Sequence, residues 1–371
     1  MELYLVSFVV VLVMGTLVSF LGERFQIPSV FLLVFMGMLL SKTVAFPKEF
    51  IYVISTITLV IVAFEASASF SINELKKYGT HTVFLSMVFL VLVLGLLTLA
   101  VSKMYAVPVL VGLLFSSLVY GTDPLVVLEL FRGKRRKLFK IMELESLFNT
   151  PLTIILVLFF LGLVTGEVVV GSAGLTLAAK IIIGLMMGVA GGGLLRVLVK
   201  EVKDHHLLNL MVVGVALASY VLADAFGGSG ILAVVILGFV FSKAKTARVE
   251  LKRSSSLLTD TLHIMVFFLL GTVLIINPTY MLGGLLLFGI YLLIRGFAVV
   301  LSMPHSTVRE KLLLTLHVPK GLDVAVLMLL ISSEHNFVQG MPVVINLGLM
   351  FVLLSLIVST VAAHFITLPR A

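Results

Sequence analysis

Apolar runs of about 17 residues or more recur along the whole chain, parted only by short clusters of charge or by Pro and Gly. Inside lipid every peptide N–H and C=O must find its partner within the protein, and a helix does so within one segment. The pattern predicts an all-α polytopic membrane protein. Composition agrees, since 60% of the 371 residues are hydrophobic and only 12% charged. Spans are predicted at 3–21, 28–42, 50–68, 78–102, 107–131, 142–165, 173–199, 206–224, 229–243, 256–276, 279–303, 311–333 and 342–366, thirteen in all. Cys is absent, which excludes a disulfide framework and a thiolate metal site. The first run, Met1–Leu21, lacks the basic region and small-residue cleavage site of a signal peptide and reads as a spanning helix.

The net charge of +8 marks topology rather than nucleic-acid binding. Of 26 Lys and Arg residues, 20 fall in odd-numbered loops and the C-terminus: Arg24, Lys76, Lys77, six between Arg132 and Lys140, Arg196, Lys200, Lys203, Lys243, Lys245, Arg248, Lys252, Arg253, Arg309, Lys311 and Arg370. Even-numbered loops hold Lys42, Lys48 and Lys103, and Lys180, Arg295 and Lys320 lie at or within spans. The positive-inside rule then puts the N-terminus outside and the C-terminus in the cytoplasm of a cell membrane.

Residues 21–42 align without gaps on residues 222–243, with Leu21/Leu222, Phe25/Phe226, Val34/Val235, Gly37/Gly238, Ser41/Ser242 and Lys42/Lys243 identical and Glu23 opposite Asp224. The two copies lie on opposite membrane faces by loop parity, so the repeat is inverted: two six-helix halves with the seventh span as connector. The fifth span should then have an interrupted counterpart in the twelfth. Gly121-Thr122-Asp123 and Gly321-Leu322-Asp323 match at an offset of 200, each beside a proline, Pro124 or Pro319. Paired interrupted helices in inverted halves point to a transporter's binding site near the bilayer midplane.

A carboxylate at bilayer depth costs roughly 2.5–3.5 kcal/mol on the most lenient scale and reads as functional by default. Asp123 has no neutralising neighbour within four residues, and Pro124 both removes a helix hydrogen bond and disfavours α geometry before it. Around the start of the sixth span, Glu145, Ser146, Asn149 and Thr150 precede Pro151, with Glu145 and Asn149 on one helix face. Arg295, mid-span and always charged, requires a carboxylate partner. Lys320 and Asp323 are three apart and able to pair, with Lys320 also suited to offset the negative helix ends. The Gly184, Gly188, Gly192 ladder reads as close helix packing, and Glu65 as an interfacial or capping residue.

These residues resemble the monovalent cation:proton antiporters of the NhaP type. The resemblance is carried by Gly-Thr-Asp-Pro at 121–124, Glu-Ser-Leu-Phe-Asn at 145–149, Gly-Ser-Gly-Ile-Leu-Ala-Val-Val at 228–235, Arg295, and Pro-Lys-Gly at 319–321. It implies thirteen transmembrane helices, crossing broken helices 5 and 12, and a homodimer among membrane lipids. Helices 1–3 and 7–10 (about 1–76 and 173–276) would form an interface part. Helices 4–6 and 11–13 (about 77–166 and 279–367) would form a transport core with elevator-like movement. It further implies that Asp123 binds ion or proton, that Thr122 and Ser146 supply oxygens to the monovalent cation, and that Glu145 pairs with Arg295. The family pattern continues Asn-Asp where this chain has Asn149-Thr150, and a hydroxyl cannot carry the competing proton.

The reading is a secondary transporter that exchanges Na⁺ (or K⁺ or Li⁺) for H⁺ by alternating access, with no cofactor and Asp123 as the shared site. Asn149 and Thr150 would add neutral ligand oxygens. If the two breaks cross, Asp323 lies near Asp123 and would stand in for the acid absent at position 150. The alternative is a non-exchanging uniporter, leak or sensor on the same scaffold. The chain is not read as an enzyme: it carries no metal-ligand cluster, nucleophile triad or phosphate loop.

Overall fold

The computed structural model describes residues 2–25, 29–41, 46–69, 72–123, 136–166, 173–202, 205–242, 256–273, 278–333 and 338–367. Among them every regular element is a helix: α1 (Glu2–Phe25), α2 (Ser29–Leu40), α3 (Lys48–Ala68), α4 (Ile72–Leu92), α5 (Thr98–Tyr105), α6 (Val109–Leu118), α7 (Arg136–Thr165), α8 (Ala173–Glu201), α9 (His205–Ala225), α10 (Gly230–Ser242), α11 (Ser256–Val273), α12 (Met281–Ser302), α13 (Val308–Leu316), α14 (Leu322–Ser333) and α15 (Met341–Thr367). Among the described residues eight stretches are long and apolar enough to cross a membrane: Leu5–Gly22, Lys48–Ala68, Gly79–Tyr105, Lys140–Thr165, Ala178–Glu201, Leu207–Ala225, Pro278–Ser302 and Met341–Ala362. Leu5, Phe20, Leu185, Met186, Leu282 and Leu293 are exposed, as suits a protein whose solvent is hydrocarbon. The protein is multi-pass.

The elements depart from the predicted spans in two places. α7 starts at Arg136, earlier than the predicted 142, and runs through Pro151 as the predicted span does, the proline leaving the Leu147 carbonyl without its helical donor. α4 and α5 form one rod from Ile72 to Tyr105, joined by a π-helical turn at Val93–Leu97. In the predicted spans 107–131 and 311–333 helical geometry is lost where the paired breaks are expected. α6 stops at Leu118 and gives way to non-helical chain at 121–123, and α13 and α14 are separated by non-helical residues 317–321. Pro124, the rest of the fifth span, and Arg132, Lys134 and Arg135 lie outside the described residues.

The chain groups into two compact units. One comprises Met1–Phe70, Val168–Leu274 and Ala325–His335. Its helices approach through glycine. A Cβ on Gly37 of α2 would fall on the Phe268 carbonyl and 3.1 Å from the Gly271 Cα of α11, while one on Gly238 of α10 would meet Phe64 O (2.9 Å) and Ser67 of α3. Gly184, Gly188 and Gly192 seat α8 on α10, against Ser229–Leu232, Ala233–Ile236 and Leu237–Val240. Glu65 is not only interfacial. It accepts a 2.8 Å hydrogen bond from the Thr259 hydroxyl and ties α3 to α11.

The other unit comprises Ser71–Glu167, Ile275–Val324 and Asn336–Ala371. Its packing centres on Phe351 of α15, whose ring meets Phe115 of α6 and Phe288 of α12 edge-on, each at 5.2 Å between centroids, and Tyr291 of α12 at 5.5 Å. A reciprocal cap between Thr307 and Glu310 starts α13.

Because Gly37 faces backbone rather than a movable side chain, Gly37→Val should cost about 1–3 kcal/mol of stability. A lower melting temperature of the detergent-purified protein would report it. Gly193→Ala, whose added methyl meets open space, should not lower it.

Candidate functional site

The second unit holds both helix breaks, and each break is completed by the other. The last turn of α6 tightens, with Val119 N–H donating to Phe115 O (3.1 Å) and Tyr120 N–H to Ser117 O (3.3 Å), and residues 121–123 then leave helical geometry ahead of the proline that follows Asp123. On the other side Pro319 holds Val318 out of helical geometry. The two non-helical segments meet. Asp123 N–H donates to Pro319 O at 3.0 Å, and the Lys320 ammonium donates to Gly121 O at 2.6 Å. Leu322 N–H, the first of α14, donates to Asp123 Oδ2 at 2.9 Å, so one carboxylate serves as the cap of another segment's helix.

Glycine makes the approach possible. A Cβ on Gly321 would overlap the Asp123 carboxylate, and a Cβ on Gly121 would sit 2.9 Å from Asp323 Oδ2. Each aspartate thus lies against the glycine of the opposite break. Asp323 is in the first turn of α14, where its Oδ1 accepts Val324 N–H at 2.8 Å and its Oδ2 accepts the Thr150 hydroxyl at a long 3.4 Å. Asp123, Asp323, Lys320 and Arg295 are all buried.

α7 supplies a polar wall. The Ser146 and Thr122 hydroxyls are 3.1 Å apart, one donating a hydrogen bond to the other. Tyr120 donates its hydroxyl to Asn149 Oδ1 at 2.6 Å and approaches Ser86 O at 3.1 Å. Asn149 Nδ2 and Thr153 Oγ1 are buried and have no hydrogen-bond partner among the described residues. Below this wall Arg295 of α12 grips Glu145 of α7 with two nitrogens, Nη1 on Oε1 and Nη2 on Oε2, the latter at 2.7 Å. Its Nε donates to Leu314 O at 3.2 Å, and its guanidinium lies 4.7 Å from the Phe89 ring centre.

Lys320 and Asp323, close in sequence, do not turn to each other for hydrogen bonds. The ammonium donates to Gly121 O and, at 2.6 Å, to the Tyr291 hydroxyl. The Lys320 backbone N–H goes to Ser355 Oγ at 2.9 Å. The structure therefore brings Asp123, Thr122, Ser146, Asn149, Thr150, Lys320 and Asp323 into one buried crossing, with Glu145 and Arg295 beneath. Tyr120, Tyr291, Phe89 and Thr153 join them without having stood out in the sequence. Thr153 had a signal, four residues after Asn149 on the same face of α7. Among the described residues no group of three or more His, Asp or Glu side chains could hold a metal ion. A cation here would rest on one or two carboxylates with hydroxyl and carbonyl oxygens, a donor set suited to a small hard cation.

The "Sodium/hydrogen exchanger, transmembrane" family model matches residues 8–368. Two Methanocaldococcus jannaschii proteins are similar over most of their length. Probable Na(+)/H(+) antiporter 2 is 24% identical over 86% of this chain and 82% of its own, and Na(+)/H(+) antiporter 1 is 25% identical over 87% and 82%. The K(+)/H(+) antiporter NhaP2 of Shewanella is 29% identical over 52% of this chain and 35% of its own. The fold is similar to that of the sodium proton antiporter MjNhaP1 of M. jannaschii, with a TM-score of 0.78, 21% identity, and coverage of 99% of this chain and 98% of that one. With all but a few terminal residues matched, the chain belongs to the sodium/hydrogen exchanger family.

Proposed function

We propose that the protein exchanges a monovalent cation, Na⁺ in the first instance, for protons across a cell membrane, with Asp123 the group for which the two compete. The observation that carries this reading is a buried carboxylate at a break in two helices, held by one backbone N–H of α14 and flanked by the Thr122–Ser146 hydroxyl pair. A site left with a net negative charge is costly to move through a low-dielectric barrier, whereas its protonated and cation-bound forms, with the surrounding charges counted, are neutral. Alternating access then yields exchange, because only those two forms cross. Relatives named for Na⁺ and for K⁺ make cation choice a matter for measurement. Elevator-type movement, a homodimer, and a transport role for the unit that holds the breaks complete the proposal, on the strength of the family resemblance.

Two features support an inverted repeat of thirteen transmembrane helices. Gly37 packs on Phe268 and Gly271, and its repeat mate Gly238 packs on Phe64 and Ser67. The partners Phe64 and Ser67 are related to Phe268 and Gly271 by an offset of 204 residues, close to the 201 that relates the two glycines. The breaks show the same exchange of partners, Gly121 with Asp323 and Gly321 with Asp123.

Glu145 and Arg295 are assigned a structural role. Both of Arg295's terminal nitrogens are committed to Glu145, and the pair joins α7, the wall of the site, to α12. Removing one partner of a buried pair leaves an uncompensated charge and costs about 3–5 kcal/mol, whereas apolar replacement of both is often neutral. Glu145→Gln should therefore yield little folded protein. Glu145→Leu combined with Arg295→Met should recover the yield and monodispersity of the wild type on size-exclusion chromatography.

The central experiment is proteoliposomes with an internal pH dye and imposed Na⁺, Li⁺ or K⁺ gradients. The wild type is expected to move protons in answer to at least one cation, and Asp123→Asn to reduce that movement to the empty-liposome rate. Silence towards all three cations across pH 5–9 would sink the exchange reading, and cation flux without proton movement would replace it with a leak. Because the chain has no native Cys, single cysteines report orientation directly. A cysteine near position 2 should react with an impermeant maleimide from outside intact cells, and one at position 309 only after lysis.

A further inference from the structure

We infer that Asp323 is the second ion-binding acid of the site, and that it works with the hydroxyls of Thr150 and Thr153. This rests on the exchange reading above and extends it.

Three observations converge. The first is geometric. Thr150, which occupies the position where the family pattern has an acid, points its hydroxyl at Asp323 Oδ2. A carboxylate entering from α14 thus lies where one from α7 would otherwise be. The second is the unoccupied donor. Thr153 Oγ1 is fully buried without a hydrogen-bond partner among the described residues, and it lies within 2.9 Å of the same point beside Gly121 as Asp323 Oδ2. A buried hydroxyl left without a partner costs free energy, and a small cation on Asp323 would give its oxygen a use. Because Gly121 has no side chain, carboxylate and hydroxyl can both close on the same stretch of backbone. The third is the exchange of partners between the breaks, which makes Asp323 the structural counterpart of Asp123.

Charge counting gives the acid a task. Glu145 and Arg295 cancel. Lys320 lies in the same crossing and would cancel one aspartate. With Asp123 alone the empty site would already be neutral, and a cation would add an uncompensated buried charge. With Asp323 ionised as well the empty site carries one negative charge, which one monovalent cation or one proton neutralises. The cation arrives from the open side as the proton leaves to it, and both loaded forms are neutral, so one-for-one exchange follows.

The test uses Na⁺-driven proton release from proteoliposomes, with protein quality judged by melting temperature. Asp323→Asn is expected to lose Na⁺-driven exchange. Moving the acid back, as Thr150→Asp with Asp323→Asn, is expected to restore it, a rescue that a merely structural Asp323 would not permit. Thr153→Val, close to isosteric, should raise the half-saturating Na⁺ concentration by about tenfold for one lost ligand. An Asp323→Asn protein with wild-type rate and half-saturation overturns the inference. So does a well-folded acid swap that stays inactive, and so does Thr153→Val with unchanged half-saturation, whatever the Asp323 variants do. A wild type that moves no protons, or an Asp123→Asn protein that exchanges normally, instead overturns the underlying exchange reading.

Discussion

Two helices that stop in mid-span leave peptide groups that their own segments cannot satisfy, and a bilayer has no water to offer them. Everything at the centre of this protein follows from how that deficit is met. The first break lends a carboxylate to the start of α14 and a carbonyl to Lys320, and the second lends the Pro319 carbonyl to Asp123 N–H. Neither break is stable alone, because each has as its partner the other's irregular backbone. The glycines at 121 and 321 are the steric condition for this mutual completion, since a methyl at either would collide with the aspartate of the opposite break.

The surrounding packing keeps the crossing in register. Phe351 sets α15 against α6 and α12, and Ser355 on the same helix takes the Lys320 backbone N–H. Arg295 locks α12 to α7 and also reaches the end of α13 through Leu314 O. Charged groups here work in matched sets rather than singly, as a low dielectric requires.

Much of this was legible beforehand. Helix positions followed from unbroken apolar length, and family membership from short polar motifs that an apolar sequence makes conspicuous. Asp123, Glu145, Arg295 and Lys320 stood out for the same reason, since charge inside an apolar run has few bland explanations. Partners were harder to read. That Lys320 turns to Gly121 and Tyr291 rather than to Asp323 depends on a crossing of segments almost 200 residues apart, which local spacing cannot encode. Tyr120 and Tyr291 in an apolar run look like any other aromatic until their hydroxyls find Asn149 and Lys320. The predicted sixth span ran through Pro151, and α7 does so because Pro removes one hydrogen bond without forbidding the turns on either side.

The hydrogen bond from Leu322 N–H to Asp123 Oδ2 has a mechanical meaning as well as an electrostatic one. The oxygen that tethers the first turn of α14 belongs to the same carboxylate that cargo would occupy. Any ligand drawing electron density from that carboxylate weakens its grip on the peptide. On the proposed reading cargo and tether would compete for one group, and the stiffness of the joint between two helices would become a readout of what the joint is carrying.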